Sequence, residues 1–249
     1  MARREEVIQR IRKALGRHLH SSSQIDEAIL LPASPLSGIL PDILPEELLP
    51  KFEAELTEVA GIAHRAANCQ ELEGILQTIL SHANATSVVL SRNPLLAELN
   101  LEPKLRAWGQ GVSAWPTLGR EEPLGTGHNS LRTFAEASFA ANVGITGVEF
   151  ALAETGSLVV TSWTEGAQLA SLAPPVHVAL YRRSQLVASL DEVLEKLAMA
   201  IRPGLPLPGR SIVFITGTSR TADIEQILIR GVHGPGELHA ILVEPACFS

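Results

Sequence analysis

Two stretches of this chain gather residues whose types and spacing could do chemistry. Residues 142–163 set three glycines, Gly144, Gly147 and Gly156, around two carboxylates, Glu149 and Glu154, ahead of a β-branched run at 158–161. Glycine suits a backbone that must turn sharply or approach another group closely, so this spacing describes a tight, shaped surface feeding a buried strand. Glu154 stands at the lip of the turn, at a strand end, where open α/β sheets tend to build their sites. A carboxylate there can also simply cap the turn by accepting backbone amides, and the sequence leaves both readings open.

The second stretch, residues 217–225, reads Gly217, Thr218, Ser219, Arg220, Thr221, Ala222, Asp223, Ile224, Glu225. Small polar residues between an apolar strand and a helix would leave amides pointing outward, and Arg220 could pair a carboxylate or phosphate bidentately. Ordinary helix capping by Thr218, Ser219 or Thr221 is the competing reading. His233, in a Gly-rich loop, and His239 invite a metal reading with Asp223 or Glu225. Their spacing shows no ligand triad, so no metal is assigned.

Gly109, Gly111 and Ala114 match a dinucleotide fingerprint formally, but no strand precedes them and Trp115-Pro116 follows where a helix should open. No Gly-x-Ser-x-Gly elbow and no phosphate-loop Gly-Lys pair occurs, which lowers the case for a serine hydrolase or a nucleoside-triphosphate enzyme. No cofactor follows from these motifs.

The elements that must position these residues fit one main domain, because 249 residues can bury about 70–75% of the surface their unfolded chain exposes. Aromatics are only 4%, so the core must be mostly Leu, Ile, Val and Ala, and a net charge of −7 argues against a nucleic-acid face. The two cysteines, Cys69 and Cys247, lie far apart without a Cys-x-x-Cys partner. They offer neither a disulfide framework nor a self-contained iron–sulfur site, and they favour a reducing cytoplasm. The start carries acids where a signal peptide needs an apolar core, and no run approaches a membrane span.

Val7, Ile8, Ile11, Leu15 and Leu19 recur at helical spacing, giving an N-terminal arm that needs a partner surface in cis or in trans. Serines 21–23 and prolines 32, 35, 41 and 45 then read as a linker, so residues 1–50 stand apart from a domain at 51–249. Helical periodicity runs from Pro45 through Ile62 and again around 72–79. Residues 86–91 read as the first strand, 94–105 as a helix, and 112–115 as a short strand. A helix at 130–141 shows Leu131, Phe134, Ala135 and Phe139 on one face. Strands at 158–161 and 176–181, the latter carrying His177 at its start, precede a helix at 190–201. Residues 211–216 are apolar on both faces, as a parallel strand covered on both sides should be, and 238–243 form the last strand.

In order, Gly144 to Gly147, Ala153 to Leu158, Leu172 to His177, Thr216 to Glu225, Gly231 to Pro235 and Glu237 to His239 resemble the lactate-utilisation protein C family, the LUD domain, over roughly residues 85–245. The resemblance implies a three-layer α/β fold, a mostly parallel sheet flanked by helices, similar to the NagB, ribose-5-phosphate isomerase and coenzyme A transferase group. It implies a part in oxidising L-lactate to pyruvate, with iron–sulfur partner proteins carrying the electrons and this chain binding a small carboxylate or other anion. Under it, Glu154 looks similar to the transferases' nucleophilic glutamate, with Asp223 a second catalytic candidate. The ligand-binding candidates are Gly144, Thr146, Gly147, Thr155, Gly156, Gly217, Thr218, Ser219, Arg220, Thr221, Glu225 and His233. An acyl or coenzyme A transferase using Glu154, and a metabolite-sensing module, are the competing functions; homo-oligomerisation is left open.

Overall fold

The strands form where apolar runs are short and bounded by turns, and the helices where apolar residues recur every three or four positions. In the computed structural model, residues 43–115, 126–166, 168–200, 211–222 and 228–248 are described. The arm and most of the linker lie outside these residues. Helix α1 (Leu48–Glu58) buries Leu49, Phe52 and Leu56 on one stripe. It ends before Ala60, whose φ is +64°, and the chain turns into strand β1 (Ile62–Ala66). The helical periodicity read through Ile62 therefore stops short. Residues 62–66 form a half-exposed edge strand carrying His64 and Arg65, without the apolar run that would mark it.

Helix α2 (Cys69–His82) starts at Asn68, whose side chain accepts from the Glu71 amide, and buries Leu72, Leu76, Ile79 and Leu80. Strand β2 (Ser87–Leu90) follows. The helix expected over 94–105 is two, α3 (Pro94–Glu98) and α4 (Leu101–Ala107), broken where Asn100 turns left-handed at φ +53°. Strand β3 (Gly111–Ala114) comes next, so Gly109 and Gly111 link a helix to a strand, the reverse of a dinucleotide-binding turn. In α5 (Thr126–Ala140), Phe134 and Ser138 are the buried positions over 131–140; Phe139, expected on the core face, is 73% exposed.

Strands β4 (Val143–Thr146), β5 (Phe150–Leu152) and β6 (Ser157–Thr161) lead through two single-turn helices, α6 (Ser162–Glu165) and α7 (Leu169–Leu172), to β7 (Val176–Tyr181). Strand β8 (Leu186–Val187), helix α8 (Leu190–Ala200), strands β9 (Ile212–Thr216), β10 (Arg220–Ala222), β11 (Leu228–Arg230) and β12 (Glu237–Val243), and a 3₁₀ turn at Pro245–Phe248 complete the order.

Six strands form one sheet in the order β1-β12-β7-β4-β2-β3, every neighbouring pair parallel. One face packs against α2, α3 and α4 through Leu76, Leu96, Leu105, Ile145, Val178 and Ile241. The other face meets α1 and a four-stranded sheet, β8-β5-β6-β9, through Phe52, Leu56, Leu158, Tyr181 and Leu242. Helix α8 covers the far side of that small sheet with Val193 and Leu197. The expected α/β architecture, a parallel sheet flanked by helices, is thus the one observed.

The strand expected at 211–216 exists but differs in setting. It runs antiparallel to β6 at the edge of the small sheet, with Ile212 and Phe214 each 41% exposed. An apolar run on both faces marks a buried parallel strand only when both faces are covered, and this outer face is open among the described residues.

Candidate functional site

Strand order locates the site. From β2 the chain moves outward to β3, whereas β4 and its successors lie on the opposite side, so the connections diverge between β2 and β4. At such a switch point the strand carboxyl ends leave a crevice, the usual ligand position in open α/β sheets. Ser91, Arg92 and Asn93 follow β2 there and Gly147 follows β4, and the three residues after β2 also line a cavity that extends to Trp115 after β3.

Glu165 lies at its base, 1% exposed. Ser91 Oγ donates to Glu165 Oε2 at 2.5 Å, Asn93 Nδ2 donates to Oε1, and the Gly147 amide reaches Oε2 at 3.2 Å. Burial pushes this carboxyl above the ordinary glutamate range, with the donors from Ser91, Asn93, Gly147 and Thr164 pulling the other way. Glycine is required at 147, where a Cβ would lie 2.2 Å from the Asn93 side chain. The outer crevice, a cavity of about 310 Å³ lined by Leu96, Asn100, Arg92 and Trp115 among others, opens beside this knot. Arg92 is exposed, donates to the Trp163 carbonyl at 2.7 Å, and has no carboxylate partner among the described residues. Glu102, on the same cavity wall, is held by Arg106 at 2.8 Å.

Deeper on β4, Gly144 packs directly under α7: an added Cβ would stand 1.7 Å from the Ala170 carbonyl oxygen. Thr146 Oγ1 lies 2.8 Å from His177 Nε2, and the His177 ring is fully buried with Nδ1 lacking a partner among the described residues. Desolvation, aided by His239, pushes its pKa down to about 3, so it is neutral across the physiological range.

The remaining candidates gather elsewhere. Gly156 and Gly217 have φ of +64° and +73° and press against α1: a Cβ would meet Leu56 N at 2.2 Å and Val59 O at 2.1 Å respectively. Thr155, Ser157 and Thr216 form a hydroxyl chain with links of 2.7 and 2.6 Å, and Thr218 N donates to Val59 O at 3.4 Å, closing the end of α1. Glu154 is half-buried in the β5–β6 turn, and its carboxylate accepts the Leu190 amide at the start of α8 at 3.3 Å. Ser219 N donates to Pro235 O and Ser219 O accepts from Gly231 N, so the chain enters the β10–β11 hairpin through Arg220 and Thr221. Gly217 to Ser219 turn the backbone back toward Pro235 and Arg220–Ala222 form strand β10, while the helix expected after the small polar residues falls chiefly on positions 223–227, outside the described residues. Asp223 and Glu225 lie outside the described residues.

His233 is exposed in the loop after β11, while His239 stacks on His64, has its Nδ1 2.9 Å from His64 Nε2, and donates from Nε2 to the Glu237 carboxylate at 2.7 Å. Gly144, Thr146 and Gly147 are thus the part of the expected set that the fold brings to the switch point. Ser91, Arg92, Asn93, Trp115 and Glu165 were not singled out in the sequence. The Asn93-Pro94 helix start was a legible signal for one of them; Glu165, whose donors Ser91 and Asn93 are more than 70 residues away in the chain, carried none.

A six-stranded parallel sheet covered by helices on one face, and by α1 and the small sheet on the other, makes this an α/β domain. The chain belongs to the LUD domain family, which it matches over residues 49–243. It is similar to Lactate utilization protein C of Halalkalibacterium halodurans, 30% identical over 173 residues, 70% of this chain and 69% of that one. The corresponding protein of Bacillus subtilis is 31% identical over 170 residues, 68% and 67% of the two chains. The uncharacterized protein YkgG of Escherichia coli is 28% identical over 259 residues, covering 98% and 99%. In fold it is similar to a DUF162 family protein from Deinococcus radiodurans, with a TM-score of 0.53 and 22% identity over 81% of this chain and 99% of that one.

Proposed function

We propose that this chain serves lactate utilisation as a component that binds a small carboxylate at the switch-point crevice, while iron–sulfur partner proteins carry the electrons. The observation that carries the reading is the pairing of an uncommitted cation with a fixed polar base. Exposed Arg92 lines the cavity with no carboxylate partner among the described residues, next in sequence to Ser91 and Asn93 of the Ser91–Asn93–Gly147–Glu165 knot. A guanidinium holds a carboxylate in two-pronged fashion, and Trp115 and Leu96 line the same cavity with apolar surface for a short carbon chain. The names of the relatives support the pathway; the crevice supports the ligand class.

The test is growth on L-lactate as sole carbon source by a strain lacking this chain and any other lactate oxidase. Wild type should restore growth, and Arg92→Ala, folded to the same extent, should not. Normal growth of the deletion strain would refute the role, and full rescue by Arg92→Ala would refute the site.

A further inference from the structure

Cys69 and Cys247 are 178 positions apart, yet the sheet brings them together. Strands β1 and β12 are parallel neighbours with Ala66 paired to Val243, so both chains leave the sheet side by side. Three residues beyond Ala66 the chain reaches Cys69, the first residue of α2; four beyond Val243 it reaches Cys247 in the 3₁₀ turn. The corner is fixed by the Glu244 amide on the Ala66 carbonyl at 3.1 Å. Cys247 Sγ lies 3.4 Å from that same carbonyl, and the Cys69 thiol donates to the carbonyl of Cys247 itself. Both sulfurs therefore sit at the same corner of the sheet, each against a main-chain carbonyl there.

We propose that Cys69 and Cys247 are a redox modification site, forming a reversible intramolecular disulfide under a peroxide-class oxidant and fastening the C-terminal turn to the start of α2. The two sulfurs differ in access. Cys69 is half-buried, whereas Cys247 is 1% exposed and burial pushes its thiol pKa up. Peroxide accordingly meets Cys69 first, transferring one oxygen to give a sulfenic acid and releasing water. The Cys247 sulfur then attacks the Cys69 sulfur, the S–O bond breaks, and a second water leaves, so two thiols and one peroxide become one disulfide and two waters.

The tie has a structural consequence. Phe248 adjoins Cys247, and its ring lies 4.6 Å from the Arg182 guanidinium carbon on the wall of a cavity of about 570 Å³ that Arg183 and Glu244 also line. Oxidation therefore anchors one wall of that cavity to β1 and α2. This inference is independent of the carboxylate reading.

Reduced full-length protein, freed of reductant, is treated with hydrogen peroxide, alkylated in denaturant and mapped without reduction. The expected result is a linked Cys69–Cys247 peptide and a monomer mass lower by two hydrogens, both reversed by a thiol reductant. Cys247→Ser should leave Cys69 as a sulfenic acid that dimedone labels. Overoxidised Cys69 beside an alkylated Cys247 in the wild type, or disulfides only between copies, would overturn the proposal; because the wild-type map decides, it survives misfolding of the variant.

Discussion

Acidification should unfold this protein through His177, and the size of the effect follows from its burial. The ring is fully enclosed between β4 and α7, touches Thr146 Oγ1 through Nε2, and has a folded pKa near 3 against 6.5 when exposed. A histidine depressed in the fold contributes full stability above its unfolded value and loses it as pH falls from 6.5 toward 3. At pH 5 the unfolded ring binds a proton that the folded ring refuses, which costs about 2 kcal/mol relative to neutral pH. With a urea slope of about 3 kcal/mol per molar, the midpoint should drop by about 0.7 M.

Other groups titrate in the same window. His64 and His239, both depressed chiefly by burial, add to the loss, whereas Glu165, raised by burial, gains stability as pH falls through its folded value. The His177 share is therefore read as the difference between wild type and His177→Gln, which keeps a partner for Thr146 but does not titrate. Urea curves at pH 7.5 and pH 5 should show a drop about 0.7 M smaller in the variant. Equal drops in both proteins would refute the reasoning, and His177→Asn repeats the comparison if the glutamine variant is poorly folded.

Three further substitutions separate scaffold from chemistry. Gly156→Ala forces an L residue to φ +64° and puts its Cβ 2.2 Å from the Leu56 amide, so it should cost more than about 2 kcal/mol in urea unfolding; Gly109→Ala, at positive φ but in open space, should cost about half as much. Glu154→Ala removes the acceptor for the Leu190 amide and should cost about 1 kcal/mol while leaving growth on lactate intact. Loss of growth at unchanged stability would instead assign Glu154 the nucleophile's role.

What the sequence revealed and what it hid follow one physical rule. Strands β4, β6, β7 and β12 are fully or almost fully buried, so most of their residues are apolar and each reads as a run. Strand β1 lies at the sheet edge with His64 half-buried and Arg65 exposed, and its pattern merges with the preceding helix. Strand β9 has the composition of a central strand but an edge position, because neighbours, which the local sequence does not name, decide whether apolar side chains are covered.

The same rule governs the site. Glycines announce themselves wherever the backbone is crowded, and Gly144, Gly147 and Gly156 were singled out for that reason, Gly217 as part of a small polar stretch. Crowding, however, has two causes that glycine cannot distinguish. At Gly147 the neighbour is Asn93, a donor to the buried carboxylate; at Gly156 and Gly217 it is the backbone of α1, a packing contact. The carboxylates separate by what surrounds them rather than by their motifs. Glu154, in the glycine-bounded motif, is half-buried and accepts a helix amide; Glu165, in no motif, is enclosed at the switch point by donors from two other strand ends. Enclosing a charged group costs free energy that only several placed donors offset, and Ser91, Asn93 and Gly147 converge on Glu165 where the strand order reverses. That convergence, which belongs to the fold rather than to any segment, makes the β2–β4 crevice the better candidate for the working site.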